Sequence, residues 1–173
     1  MLFKVGDLIL YGSTGVCRVT DITTRDFSGV DKDQLFYILI PLYQDCIIST
    51  PVNTTKIFIR PIISKDEAER LIDMIPTIRA EAYHSQILRE LTEHYEASLK
   101  THDCTELVEL TMSIYAKKQY VEQQKRKFGA IDERFMKRAE ELLFGELAAA
   151  LDIPKESVPD YIAGRIGEEG GID

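Results

Sequence analysis

Few side chains in this chain stand at a spacing that supports covalent chemistry. Cys17, Cys46 and Cys104 are too few and too far apart for a disulfide framework, and no two have the C-x-x-C spacing of a metal or redox site. They read as small buried hydrophobes. His84, His94 and His102 form no H-x-x-x-H pair and have no carboxylates at ligand spacing, so they read as surface or partly buried imidazoles. The acid pairs Glu140-Glu141 and Glu168-Glu169 are adjacent in sequence and point to different sides of any helix that carries them. Gly12-Ser13-Thr14-Gly15 lacks the lysine and second half of a phosphate loop, which leaves a hairpin turn. No nucleophile elbow, dinucleotide fingerprint or zinc-helix motif is present in the sequence. The expectation is a non-enzymatic protein with no cofactor, no metal and no small-molecule substrate; a hydrolase would need a deep polar pocket with convergent titratable groups.

Chemistry of recognition is better represented. Between residues 117 and 138, Lys117, Lys118, Lys125, Arg126, Lys127, Arg134, Lys137 and Arg138 outnumber Glu122, Asp132 and Glu133, a local net charge of +5. Such a run suits contact with DNA phosphates, and the interleaved Tyr115, Tyr120 and Phe128 suit stacking or anchoring. The same residues at helical spacing also suit a solvated helix face with a core stripe. The surroundings oppose free-standing nucleic-acid binding. Residues 1–63 carry six basic and six acidic side chains and residues 64–173 carry 15 and 23, so the whole net charge of -8 lies in the second part. Neutralising phosphates supplies most nonspecific affinity, and an acidic chain forgoes much of it.

The elements that must position these residues divide the chain in two. Up to residue 62, short β-branched and aromatic runs at Leu8 to Tyr11, Val16 to Ile22, Leu35 to Leu42, Ile47 to Val52 and Ile57 to Ile62 alternate with turn chemistry at Gly12 to Gly15, Asp26 to Asp31 and Asn53 to Thr55. Five strands in so short a span predict a small SH3 or Tudor-like β-barrel, which hides most strand edges. At Ser64-Lys65-Asp66-Glu67 a capping box opens the first helix, with Ala68, Leu71, Ile72 and Ile75 on one face and Pro76 as its stop. A long helix is expected from Ile78 to Lys100. Another starts near Cys104, after a second capping-box pattern at Asp103 and Glu106, with Leu107, Leu110, Ile114 and Val121 on one face and Gly129 as a left-handed terminator. A further helix from Asp132 aligns Phe135, Ala139, Leu142, Leu143 and Leu147, Pro154 follows its end, and residues 156–163 form one short helix. The fold class is therefore α+β: a barrel domain at 1–62, an all-α domain at 63–164, and a glycine-rich flexible tail at 165–173. Apolar runs such as Leu35 to Pro41 fall short of the roughly 18 to 20 residues of a membrane span, and the N-terminal residues lack the apolar core of a secretory signal, so no membrane contact and a cytoplasmic location are expected.

Phe3-Lys4-Val5-Gly6-Asp7-Leu8-Ile9-Leu10-Tyr11, followed by Gly15-Val16, resembles the opening of the CarD-like bacterial transcription regulators, shared with the polymerase-interacting domain of transcription-repair coupling factors. The resemblance continues through Tyr37-Ile38-Leu39, Thr50-Pro51-Val52 and Arg60-Pro61, and resumes at Glu133-Arg134-Phe135-Met136 and in Leu143-Phe144-Gly145-Glu146-Leu147-Ala148. The chain has neither helicase motifs nor the length of a coupling factor. The resemblance implies a Tudor-like domain that binds the RNA polymerase β subunit by strand pairing, and a helical domain that touches promoter DNA at the upstream edge of the melting bubble. It also implies polymerase-binding positions: Arg25 matches a basic residue after the second strand, and Ser49, beside Thr50 and Pro51, stands where a second basic residue is usual. The family's wedging tryptophan is missing, since the chain has no Trp. With Tyr95 taken as the tyrosine that follows it, Leu91 occupies the wedge position, an apolar residue that suits insertion at a base step.

The expected function is a transcription regulator that docks on the polymerase β subunit and modulates promoter opening through weak, polymerase-dependent DNA contacts by Leu91, Lys117, Lys118, Lys125, Arg126, Lys127, Arg134, Lys137 and Arg138. The alternative is a protein-binding adaptor on polymerase, or on another partner, without direct DNA contact.

Overall fold

The structure, a computed structural model, describes residues 2–25, 29 and 31–167. The chain divides into two compact units, 1–62 and 63–173.

In the first unit the strands are β1 (Leu8–Tyr11), β2 (Gly15–Thr24), β3 (Leu35–Pro41), β4 (Ile48–Pro51) and β5 (Ile59–Pro61). They form one antiparallel sheet in the order β4-β3-β2-β1-β5. No ladder joins β4 to β5 among the described residues, so by hydrogen bonding the sheet is open rather than a closed barrel. Ile9, Tyr11, Cys17, Val19, Tyr37 and Leu39 make its core. The turn between β1 and β2 needs glycine at both ends: Gly12 and Gly15 have φ of +47° and +97°, and a side chain at Gly12 would meet Ile57 Cγ2 at 3.0 Å. The register of β2 against β3 shifts between Val19 and Asp21, a bulge at Thr20 whose hydroxyl donates to Ile38 O at 3.1 Å. Such a bulge strengthens local twist and re-aims the rest of the strand, here Asp21 to Thr24. The expected turn at Asp26 to Asp31 lies mostly outside the described residues.

In the second unit, Ser64 caps α1 (Lys65–Met74) by accepting from the Glu67 N–H at 3.1 Å. A 3-10 turn at Ile75–Thr77 carries Pro76 and ends the run. The helix expected from Ile78 starts only at α2 (Leu88–Leu99). Residues 78–87 are non-helical because their polar groups find other partners: the Ser113 hydroxyl donates to Glu81 O at 2.6 Å, and the Ser85 hydroxyl accepts from the Ile87 N–H at 3.1 Å. Serine offering its backbone such an alternative disfavours a helix. α3 (Cys104–Gln123) is capped by Asp103, which accepts from Thr105 N–H at 2.8 Å. Gly129 is not its terminator. The left-handed residue there is Lys125, at φ +56°, while Gly129, at φ -68°, is the N-cap of α4 (Ala130–Leu151). α5 (Val158–Gly167) runs past Gly164, so residues 165–167 are helical rather than a tail: Arg165 donates from Nε to Asp73 Oδ1 at 2.6 Å and from Nη2 to Asp73 Oδ2 at 3.0 Å. The remainder of the expected tail, 168–173, lies outside the described residues. No described helix is long and apolar enough to cross a membrane.

The helices enclose two apolar clusters. Leu71, Ile72, Val108, Leu143, Leu147 and Val158 join α1, α3, α4 and α5, while Leu91, Tyr95, Ile114, Phe128, Phe135 and Ala139 join α2, α3 and α4. The stripe expected on α4 is present, with Phe135, Ala139, Leu143 and Leu147 buried and Leu142 half-buried. Cys17 and Cys104 are buried hydrophobes as expected, but Cys46 is exposed, because the segment between β3 and β4 lies on the surface. Since α1 contributes three buried residues, Ala68, Leu71 and Ile72, loss of its cap weakens the first cluster. Ser64→Ala is expected to cost the helical unit about 1 kcal/mol, read as a lower urea midpoint by far-UV circular dichroism, and Ser64→Asp to restore most of it.

Candidate functional site

The residues expected to act in recognition fall in both units. In the sheet, β4 is an edge strand paired on one side only, with Phe36 opposite Pro51, Tyr37 opposite Thr50, Ile38 opposite Ser49 and Leu39 opposite Ile48. The Val52 N–H donates to Leu35 O at 3.1 Å. Because hydrogen-bonding direction alternates along an antiparallel strand, Thr50 and Ile48 turn their main-chain groups toward β3, and Ser49 and Pro51 turn theirs outward. Proline has no N–H, and the Pro51 carbonyl accepts from the Thr54 N–H at 3.1 Å. Within β4 the outer edge therefore presents one donor and one uncommitted carbonyl, both of Ser49. A short strand ending in proline limits indiscriminate edge pairing. Arg25, half-buried, follows directly on Thr24, which pairs with Leu35. It therefore stands at the sheet end where β4 finishes, about two strand spacings or roughly 10 Å away. Arg25 and Pro51 thus lie at the same end of the sheet, Arg25 after the central strand β2 and Pro51 on the edge strand β4. Thr50 has a side chain that is 2% exposed and a main chain committed to β3, so it sets register and offers no contact.

The structure divides the residues expected on the DNA side. Leu91 is 4% exposed and packs with Tyr95, Ile114 and Phe135, so it is a core residue and not a wedge. Lys117 is likewise interior, 6% exposed, with Nζ 2.9 Å from Asp132 Oδ1, and it contacts no phosphate from there. The Tyr95 hydroxyl donates to the same carboxylate oxygen at 2.5 Å. Asp132 thereby ties α2, α3 and α4 together, and Gly129 leaves it room, since a Cβ there would lie 3.0 Å from Asp132 Oδ2. The other basic residues reach the surface. Lys137 and Arg138 have local acid partners, Glu133 at 3.6 Å and Glu141 at 3.9 Å, and the Arg134 guanidinium lies 5.0 Å over the Phe135 ring. Lys125, Arg126 and Lys127 are exposed and make no ion pair among the described residues, and Lys118 is half-buried nearby in sequence. Of the interleaved aromatics, Phe128 is core, Tyr115 donates to Glu140, and Tyr120 is 46% exposed.

Residues 3–63 match the CarD-like/TRCF RID domain family. This part of the chain is similar to the domains of that family. The match takes in all five strands of the CarD-like domain, with the opening Phe3 to Tyr11 that carried the resemblance, and its last residue is the first of the helical unit. The likeness noted at Leu143 to Ala148 falls on α4, outside the matched span.

Beyond the CarD-like domain, sequence reasoning missed the pair of Tyr83 and His94, whose rings stack at 3.7 Å and 6°, and the placement of His84 against Tyr120. It also missed the burial of Lys117, for which a signal existed: Leu110, Ile114, Lys117 and Val121 fall on one helical stripe. His94, His84 and the three cysteines form no metal-binding group among the described residues. A groove of about 780 Å³ beside α2 and α3 is lined by Arg79, Glu81, His94, Ser98, Glu106 and Glu109 among others. Desolvation, with Lys117 nearby as a lesser cause, lowers the pKa of His94.

Burial first, and then the hydrogen bond to Asp132, holds the Tyr95 phenol well above its ordinary pKa; burial and Glu140 do the same for Tyr115. An unfolded tyrosine ionises near pH 10, whereas these two keep their protons. The stability they contribute is complete below that pH and falls as pH rises above it. Alkaline titration is expected to show ionisation of Tyr95 and Tyr115 only together with loss of helical circular dichroism, and a phenolate signal from these two that precedes unfolding would contradict their burial. Asp132→Ala removes the partner of a buried ammonium and is expected to cost about 3–5 kcal/mol, measured by urea unfolding. An unchanged midpoint would show that the Lys117–Asp132 pair does not hold the helices.

Proposed function

We propose that this chain is a non-enzymatic transcription regulator of the bacterial cytoplasm, which docks on the RNA polymerase β subunit through its CarD-like domain and modulates promoter open-complex formation through weak DNA contacts by its helical unit. The match at residues 3–63 carries the reading. The open outer edge of β4 supports the mode, because an incoming strand gains main-chain hydrogen bonds there while Arg25 adds charge at the same end of the sheet. We read the sheet as a Tudor-like barrel whose strands leave that edge available.

Magnitudes favour docking before DNA contact. Nonspecific DNA dissociation constants of about 10⁻⁴ to 10⁻⁶ M are too weak for a chain of net charge -8 to hold a promoter unaided. Tethering on polymerase gives effective concentrations of the order of mM. A differential stabilisation of about 1.4 kcal/mol in the open complex changes its population tenfold, which needs a few contacts and no bond chemistry.

The second reading is an adaptor on polymerase, or on another partner, without direct DNA contact. Burial of both Leu91 and Lys117 favours it, since it removes two of the expected DNA-side residues.

Arg25→Glu is expected to weaken capture of purified core polymerase at least tenfold without loss of circular-dichroism signal. Ser49→Pro, which removes the single outward donor of β4 without touching its ladder to β3, is expected to do the same. Unchanged capture by both variants would refute docking through this edge. Protein–DNA crosslinking within a polymerase–promoter complex separates the regulator from the adaptor: crosslinks from α3 and α4 to DNA support the first, and capture of polymerase without them supports the second.

A further inference from the structure

The end of α3 builds an exposed aromatic and cationic platform. Tyr120, 46% exposed, is flanked by the His84 ring at 5.3 Å and 65° and by the Arg126 guanidinium 5.9 Å from its ring centre. The backbone closes the helix in one tight turn that folds Arg126 back toward Tyr120: the Lys125 N–H donates to Glu122 O and the Arg126 N–H to Val121 O, each at 3.0 Å, around Lys125 at φ +56°. That left-handed position ordinarily takes glycine, so a lysine there retains its charge at a cost in backbone strain. In the stretch 118–127, four basic residues, Lys118, Lys125, Arg126 and Lys127, outnumber one acidic residue, Glu122, inside a unit that is otherwise acidic.

We infer that Tyr120, flanked by His84 and Arg126 and followed by Lys125 and Lys127 in the turn that closes the helix, is a binding site for an unpaired nucleic-acid strand, which stacks a base on the tyrosine and lays its phosphates along the basic residues of that turn. The inference rests on the DNA contact proposed for the helical unit and names the strand state and the residues involved. An exposed ring beside basic side chains is the arrangement that grips single strands without reading sequence. In a duplex the base faces are covered by their neighbours, so only an unpaired or frayed strand uses the ring, whereas the lysines serve both. An acidic peptide would satisfy the charges and leave the ring without a planar partner.

Fluorescence anisotropy with the full chain at low salt, without polymerase, tests this with three probes: a labelled oligothymidylate, a blunt duplex of equal length and a polyglutamate peptide. Tighter binding of the oligothymidylate than of the duplex, about tenfold weaker binding of it in Tyr120→Ala, and its retention in Tyr120→Phe support the site. Lys125→Gly, which suits the left-handed turn and removes only the charge, is expected to flatten the salt dependence by about one charge. Equal affinity for single strand and duplex, an unchanged Tyr120→Ala, no binding of either nucleic acid, or a Tyr120 dependence seen only with polyglutamate overturns it. Because polymerase is absent, failure here leaves the capture measurements on Arg25 and Ser49 standing, and failure of capture leaves this result standing.

Discussion

The Asp132 carboxylate, 5% exposed, is where the helical unit is tied together: one of its oxygens takes the ammonium of Lys117 from α3 and the hydroxyl of Tyr95 from α2, while Asp132 itself opens α4. Charges so enclosed lose their water, and the pair survives only because each partner is held by the other and by Tyr95. The consequence reaches the surface. With Lys117 committed inward, the positive field of α3 is carried by its end, Lys118 and Lys125 to Lys127, and the aromatic that accompanies those charges in the open is Tyr120.

The sheet obeys a different constraint. Every buried main-chain polar group needs a partner, and an edge strand satisfies only half of its groups within its ladder. β4 manages this by being four residues long and ending in Pro51, whose carbonyl is taken by Thr54, so its outer side is restricted to the main-chain groups of Ser49. Such an edge limits indiscriminate pairing with other strands. The bulge at Thr20 re-aims the end of β2, and Arg25 follows at the sheet end where β4 finishes.

The proposed division of work between the two surfaces suits an acidic chain. A main-chain edge is insensitive to net charge, which suits it to the anchoring role proposed here, and the proposed basic and aromatic platform would gain from being carried to its target. Neither surface requires a buried reactive group, and the titratable residues buried in the second unit, among them Tyr95, Lys117, Asp132 and Glu146, lie within the helical core.

What the sequence determined by itself is local: the five strands, the turns at Gly12 to Gly15 and Asn53 to Thr55, the serine cap at residue 64, the apolar stripes of α3 and α4, the unequal charge of the two parts, and the opening motif Phe3 to Tyr11. These follow from period, turn chemistry and composition, which act over a few residues. Tertiary structure decided what depends on neighbours distant in the chain. It drew Lys117 and Leu91 into the core, kept residues 78–87 out of helix through Ser113 and the Tyr83–His94 stack, left Cys46 outside, and moved the left-handed turn from Gly129 to Lys125. The stripe Leu110, Ile114, Lys117, Val121 made the burial of Lys117 legible in part. Its counter-ion was not, because Asp132 is 15 residues away and meets it only once α3 and α4 pack.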